Sequence, residues 1–238
     1  EEAALLTSPQ RPIVLLPKSE PHPLAPSVSP RNRYLGVMLP YTPLHHLLLA
    51  AGAPAVLVMT SGNLSEEPIA IDNREALTRL GEIADGFLVH DREIVVRSDD
   101  SLVTRADGKL RFLRRSRGYV PVPVFLRRPL PPVLALGAEL KNTVCLTKGD
   151  RAFVSQHIGD PENLATYGFF QETIDHLQRL LDIRPQAIAC DLHPDYLSTR
   201  YAREQTALPV VAVQHHHAHI VSAMAENRID DRPVIGLA

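Results

Sequence analysis

The stretch QHHHAHIVSAMAEN, residues 214–227, holds the residues best suited to chemistry. His215 and His219 lie four apart, which places both imidazoles on one face of a helix. Two imidazoles at that spacing can chelate one divalent metal ion, zinc or iron. Four histidines in five positions are hard to explain as core packing, and the amphipathic pattern that follows shows that they are not a terminal tag. A pair is not a full ligand set, so a third ligand has to come from elsewhere. His216 and His217 project from other sides of the helix, and either could serve a substrate as acid, base or hydrogen-bond donor.

Three further clusters have phosphate-binding chemistry. In VMTSGNLSEEPI (58–69) an apolar run ends in Ser61-Gly62-Asn63, where short polar side chains and a glycine let a phosphate approach the backbone. Alone it is equally an ordinary turn. Arg97, Asp99, Asp100 and Ser101 precede Arg111, Arg114, Arg115 and Arg117. Arginines bind phosphates in bidentate fashion, and paired aspartates can hold magnesium through water. A solvated, charged hairpin has the same composition. It could also touch RNA phosphates, but nothing marks base recognition. In GAELKNT (137–143) Gly137 permits close approach, while Lys141 and Asn142 can reach a phosphate; a plain hairpin turn reads the same way. His157 and His193 also follow apolar runs and could line a cleft or fix a loop.

The elements that must position these groups alternate between strands and helices. Strands are expected at 11–16, 35–39, 54–59 and 86–90. A helix opens at Thr42-Pro43, with its N-cap and first-turn proline, and stops at Gly52; another spans 73–80. Asp107-Gly108 sits between two alternating runs, a strong hairpin signal. Residues 119–132 hold five prolines, a density that blocks regular structure and marks a domain boundary, giving domains 1–128 and 129–238. Beyond it come strands at 133–137, 143–147 and 152–155, the last two joined by Lys148-Gly149-Asp150. A helix then runs from Asp160-Pro161 to Leu181, with Leu164, Phe170, Ile174, Leu177 and Leu181 on its buried face. A strand at 187–191, a helix at 197–205, a strand at 209–213, the histidine-led helix to Asn227 and a strand at 233–237 complete the chain. The fold class is α/β (α+β). A twisted mixed sheet with helices is followed by hairpins and then alternating helices and strands, the order of the first half of an actin-like (ribonuclease-H-like) domain.

With 45% hydrophobic and 22% charged residues, the chain is globular rather than disordered. A net charge of -2 argues against a general nucleic-acid or anionic-membrane binder. No apolar run reaches the roughly 20 residues of a spanning helix, so no membrane partner is expected. Cys145 and Cys190 lie far apart in apolar runs, which reads as two buried thiols in a reducing cytoplasm. The chain begins at Glu1 without a Met and stops inside RPVIGLA; a piece of a longer protein, with sites incomplete at both ends, is expected.

Taken together and in order, LGVMLPYTPLHHLLL, VMTSGNLSEEPI, RSDDSLV, LRRSRGYVP, LGAELKNT, SQHIGDPEN, DLHPDYLSTRYA and VQHHHAH resemble the HypF family of carbamoyltransferases, which serve nickel–iron hydrogenase maturation. The resemblance covers almost the whole chain. It implies a YrdC-like domain, lacking its N-terminal part, that makes carbamoyl-adenylate from ATP, used with magnesium, and a carbamoyl unit derived from carbamoyl phosphate. It assigns Ser61 and Asn63 to the nucleotide and Arg115 and Arg117 to its phosphates. The second region is similar to TsaD-type actin-like domains, lacks its C-terminal part, and would pass the carbamoyl group to the C-terminal cysteine of the partner HypE. The motif match makes His215 and His219 metal ligands. This stretch alone is expected to be inactive.

Three rivals use the same residues. A small-molecule O-carbamoyltransferase would differ only in its acceptor. A threonylcarbamoyl-transfer fusion would be stimulated by transfer RNA, which the weakly acidic chain does not favour. A double-stranded-RNA-binding YrdC-like module would bind without ATP and in a salt-sensitive way.

Overall fold

The computed structural model describes residues 1–19, 21–50, 54–229 and 231–238. They form two compact units, Glu1–Gly62 with Ser98–Tyr119 and Asn63–Arg97 with Val120–Ala238.

The first unit carries α1 (Glu2–Thr7), β1 (Ile13–Pro17), β2 (Tyr34–Val37), α2 (Pro43–Leu48), β3 (Leu102–Ala106) and β4 (Lys109–Arg114). The sheet order is β2-β1-β3-β4. It is mixed, since β1 runs parallel to β3 while β2 and β4 run antiparallel to their neighbours. Val14 and Val103 face each other across the parallel pair, and neither is exposed. Asp107 and Gly108 both take the left-handed backbone (φ +52° and +71°) that a two-residue hairpin requires. The Thr42 hydroxyl accepts from His45 N–H and caps α2. That helix ends at Leu48, and Gly52 lies outside the described residues.

The second unit carries α3 (Asn73–Leu80), β5 (Val124–Leu130), β6 (Val133–Leu136), β7 (Val144–Val154), α4 (Leu164–Leu181), β8 (Ala187–Asp191), α5 (Leu197–Glu204), β9 (Val210–Val213) and α6 (His215–Glu226). The sheet order is β5-β7-β6-β8-β9, with β6, β8 and β9 parallel. Ser155 N–H donates to Val144 O at 2.8 Å. An extended run between them would hold them roughly 35 Å apart, so β7 folds back on itself. It turns at Lys148-Gly149-Asp150, where Gly149 has φ +60°. The expected hairpin is present within this one element.

Helix α4 packs on this sheet through Phe169, Phe170, Thr173, Ile174 and Leu177, a stripe at helical spacing. Each large apolar side chain so buried contributes about 1.5–3 kcal/mol. Leu164, expected on the buried face, is 86% exposed. The helix begins there, capped by Asn163, rather than at Asp160-Pro161, so Leu164 is its first residue and faces solvent while Thr166 is buried.

Two expectations are corrected. Residues 119–132 do contain a strand, β5 with Pro129 inside it. It lies at the edge of the sheet, where a proline costs least, and its register shifts between Phe125 and Leu130. No strand forms at 54–59, 86–90 or 233–237. Their apolar side chains are largely exposed, as with Val58 at 75% and Ile235 at 97%. Strand propensity needs a neighbour to supply ladder bonds, and none pairs with these segments among the described residues. Asn63–Arg97 groups with the later residues because it docks on α4: Asn163 Nδ2 donates to Glu66 O, and Arg97 pairs with Glu172 at 2.6 Å.

Candidate functional site: a cleft at the parallel strand ends

Strands β6, β8 and β9 of the second unit run parallel, and the loops after their C-terminal ends converge on one cleft of about 810 Å³. Open α/β sheets bind ligands at such edges. The cleft joins two clusters that lie far apart in the sequence. From the turn after β6 come Gly137, Ala138, Glu139, Leu140 and Lys141; from the ends of β8 and β9 and from α6 come Asp191, His215 and His219.

The turn is built for close approach. Gly137 N–H donates to Thr143 O at 2.9 Å, and a Cβ at 137 would fall 2.6 Å from that same oxygen. Asn142 is fully buried and donates Nδ2 to the carbonyls of Gly137 and Ala138. Its amide therefore braces the turn from beneath, and Lys141 is the exposed cation left to meet an anion. Glu139 Oε1 accepts from Leu197 N–H at the first turn of α5, tying the turn to that helix.

The histidine side is fixed by local hydrogen bonds. Leu192 N–H donates to Val213 O, so β8 and β9 end together. Gln214 then caps α6, its Oε1 accepting from His216 and His217 N–H. His215 thus occupies the first helical position with its ring over the strand ends. Its Nδ1 lies 2.6 Å from Asp191 Oδ2, and its Nε2 lies 3.1 Å from His219 Nε2. Two nitrogens on a tetrahedral zinc ion sit about 3.3 Å apart, so this pair fits as two ligands of one ion. Among the described residues no third His, Cys, Asp or Glu joins them as a metal-binding group. His216 and His217 do not line the cleft. One and two residues along the helix turn them about 100° and 200° away from His215, so this placement lends no support to an acid–base role for them.

Cys190 also lines the cleft, but burial, reinforced by the Asp191 carboxylate, pushes its thiol upward in pKa. A thiol held protonated is a poor nucleophile. His193 stacks on Tyr196 and takes Asp195 N–H on Nδ1, which fixes the loop; neither His193 nor His157 lines the cleft.

The remaining expected nucleotide residues are dispersed. In the first unit Ser61 is exposed just before the unit's break at Gly62. Arg117 donates Nε to Asp100, Nη1 to Gln10 O and Nη2 to Arg11 O, and stacks 3.7 Å above Tyr41. Arg115 donates to Tyr119 O. Asp100 also accepts from Tyr41 OH, and Ser101 is buried between Arg117 O and Ser116 N–H. Asp100, Ser101, Arg115 and Arg117 are thus wired into their own unit, while Arg97 belongs to the second. In the second unit Asn63 donates Nδ2 to Leu64 O and Glu67 O, closing its own loop. The first unit also has a cavity of about 550 Å³, but its lining is apolar except for a few groups such as His45 and Tyr34, and no reactive set converges there.

Sequence reasoning missed Asp191 and Glu139. The only signal for Asp191 was its place as the last residue of a buried strand in the run DLHPDY, where the histidine drew attention instead.

Comparison with known proteins places these features in a family. Residues 128–226 match the family described as HypF Kae1-like domain, and residues 1–116 match the Sua5/YciO/YrdC family, described as Telomere recombination. The chain is 55% identical to carbamoyltransferase HypF2 of Cupriavidus necator, with 100% of this chain and 32% of that protein aligned. It is 52% identical to carbamoyltransferase HypF of Synechocystis, covering 100% of this chain and 31% of the relative. The chain therefore spans about a third of the length of the curated relatives it matches. A crystal structure of full-length HypF in a phosphate- and nucleotide-bound form superposes with a TM-score of 0.91 at 47% identity, over 97% of this chain and 36% of that one. Among the described residues no helix is long and apolar enough to cross a membrane. Two domain matches in the right order, and relatives aligned end to end with the chain, lead to one conclusion: it belongs to the HypF family, and carries a YrdC-like region followed by a portion of the Kae1-like domain.

Proposed function

We propose that this chain serves ATP-dependent carbamoyl transfer, with carbamoyl-adenylate formed at the YrdC-like region (1–128) and consumed at the Kae1-like region (129–238). The observation that carries the reading is the cleft of the second unit, where the Gly137–Lys141 turn faces the His215–His219 pair across the parallel strand ends.

Carbamate is a poor acyl donor because its oxygen leaves badly. Adenylation by ATP, taken up with magnesium, bonds that oxygen to the α-phosphorus, breaks the α–β phosphoanhydride bond to release pyrophosphate, and so makes AMP the leaving group. Ser61, Asn63, Arg115 and Arg117 are the residues assigned to the nucleotide in that first step. In the second step the thiolate of an acceptor cysteine, the C-terminal one of HypE, attacks the carbamoyl carbon. A C–S bond forms, the C–O bond to the adenylate breaks, and AMP departs with the electron pair.

The cleft's own residues have defined parts. Gly137 lets the turn close tightly on Thr143 and so shapes the cleft wall, and Lys141 offers its ammonium to the phosphate. His215 and His219 would hold a divalent ion, zinc or iron, whose chemistry is to polarise the carbamoyl or phosphate oxygen. Burial raises the pKa of the Cys190 thiol and disfavours its thiolate, which leaves the acceptor's cysteine as the attacking thiol in this reading. Neither Cys145 nor Cys190 is in a disulfide, in keeping with a cytoplasmic setting.

The test uses the protein that carries this chain. Carbamoyl-phosphate-dependent exchange of pyrophosphate into ATP and carbamoylation of the acceptor cysteine are followed for wild type, Asn63→Ala and His219→Ala. Loss of exchange in Asn63→Ala, with exchange kept but transfer lost in His219→Ala, is the expected pattern. Absence of carbamoyl-phosphate-dependent exchange in wild type sinks the adenylation step.

A further inference from the structure

We infer that Asp191 is a positioning residue: it fixes the tautomer and ring orientation of His215 so that Nε2 faces His219 as a ready donor. The inference rests on the reading of His215 and His219 as a ligand pair, and it adds a residue to that site which its sequence motif does not contain.

Three observations support it. First, Asp191 is held rigidly. It is 9% exposed, it is the last residue of β8, and it pairs with Val213 in the adjacent strand. Its backbone carbonyl accepts from the buried Thr199 hydroxyl. Second, its two carboxylate oxygens have separate duties. Oδ1 accepts from His193 N–H at 2.9 Å, and Oδ2 meets His215 Nδ1 at 2.6 Å. An ionised carboxylate only accepts, so Nδ1 must carry the proton and Nε2 must carry the lone pair. Third, that lone pair points at His219, whose Nε2 is 3.1 Å away. The two ring nitrogens of His215 lie on opposite edges of the imidazole. Asp191 therefore stands behind the ring and orients it, while the ion-facing edge stays clear. Carboxylates placed this way behind metal-binding histidines set the tautomer and raise ligand basicity.

The carboxylate is specifically required. In Asp191→Asn the His193 N–H still needs an acceptor, so the amide oxygen takes the Oδ1 position. The amide NH₂ then faces His215 Nδ1, which must become the acceptor. The proton moves to Nε2, and the lone pair is lost from the His219 side with little change in shape.

The experiment is a measurement of the imidazole ¹⁵N shifts of His215 in the full chain, at alkaline pH without metal, beside zinc affinity by chelator competition. Wild type is expected to hold the Nδ1–H form. Asp191→Asn is expected to switch to Nε2–H and to bind zinc roughly 10–100-fold more weakly. His219→Ala should lose zinc while keeping the Nδ1–H form of His215, and Thr199→Val should lower the melting temperature without changing the tautomer. A wild-type Nε2–H form overturns the inference even if the Asn variant fails to fold. So does an Asn variant that melts lower yet keeps the wild-type tautomer. A tautomer switch in a chain that never binds zinc leaves the positioning role standing and removes the metal reading instead.

Discussion

Nε2 of His219 lies 3.1 Å from Nε2 of His215, one helical turn back along α6, with the two rings inclined at 68°. Without a proton or a cation between them, two lone pairs at that distance would repel. The pair therefore either shares a proton or takes up a cation, and it is built from one short helix. Removing either nitrogen leaves a single imidazole, which has no chelate advantage. His219→Ala should weaken zinc binding by more than about 100-fold, beyond what loss of an outer carboxylate does. His217→Ala, on the same helix but outside the cleft, should leave it unchanged. Isothermal titration with zinc separates the two.

The turn after β6 gives a steric expectation. A methyl group at Gly137 would fall 2.6 Å from the Thr143 carbonyl oxygen, which is backbone and cannot swing aside. Gly137→Ala must therefore open the turn that Asn142 braces. A loss of about 1–3 kcal/mol in stability is expected, as for other forced contacts. Because the same turn lines the cleft, the rise in melting temperature caused by added ATP should shrink as well. A variant that melts lower but keeps the full ATP-induced rise would detach the turn from nucleotide binding.

The helices and hairpins were legible because their signals are local. Thr42-Pro43 caps and opens α2, Asp107-Gly108 turns β3 into β4, and Gly149 turns β7 back on itself, each through chain chemistry within a few residues. The strands at 54–59 and 86–90 were read from the same apolar composition, but a strand is completed by its neighbour, and the neighbour is not written in the segment. Pro129 misled for a related reason: only the strand order shows that β5 lies at an edge where proline is tolerated. The site divides the same way. His215 and His219 share a helix and are visible as a spacing. Asp191 comes from 24 residues earlier and reaches His215 only because β8 and β9 pair, a relation no local pattern encodes.

The core of the second unit centres on Phe170. It is fully buried, meets Tyr201 edge-on at 5.4 Å and stacks on Tyr167 at 6.0 Å. Phe170→Ala removes these contacts and leaves a cavity beneath α4, so a loss of about 3–5 kcal/mol is expected. Leu164→Ala lies in the same helix at 86% exposure and should stay within about 0.5 kcal/mol of wild type. Urea titrations of both variants check the contrast. Similar midpoints would show that α4 does not rest on the sheet as described.

Alkaline pH should destabilise the chain through a definite set of groups. Burial raises the pKa of Cys190 above 9.0, and that of Tyr41, Tyr119, Tyr167 and Tyr201 above 10.0. Nearby carboxylates add to this, Asp100 at Tyr41, Glu204 at Tyr167 and Asp175 at Tyr201. All five are neutral when protonated. Above the ordinary value the unfolded chain gives up each proton while the folded chain keeps it, so the unfolded state binds fewer protons and stability falls with rising pH. The contribution is intact below the unfolded pKa and is lost as pH climbs from there through the raised folded value. The urea midpoint should therefore drop from about pH 9 upward. Tyr201→Phe keeps the ring against Phe170 but removes one ionising phenol. Its midpoint should fall less steeply than that of wild type above about pH 10. Parallel curves for the two proteins would mean that Tyr201 ionises as freely in the folded chain as in the unfolded one.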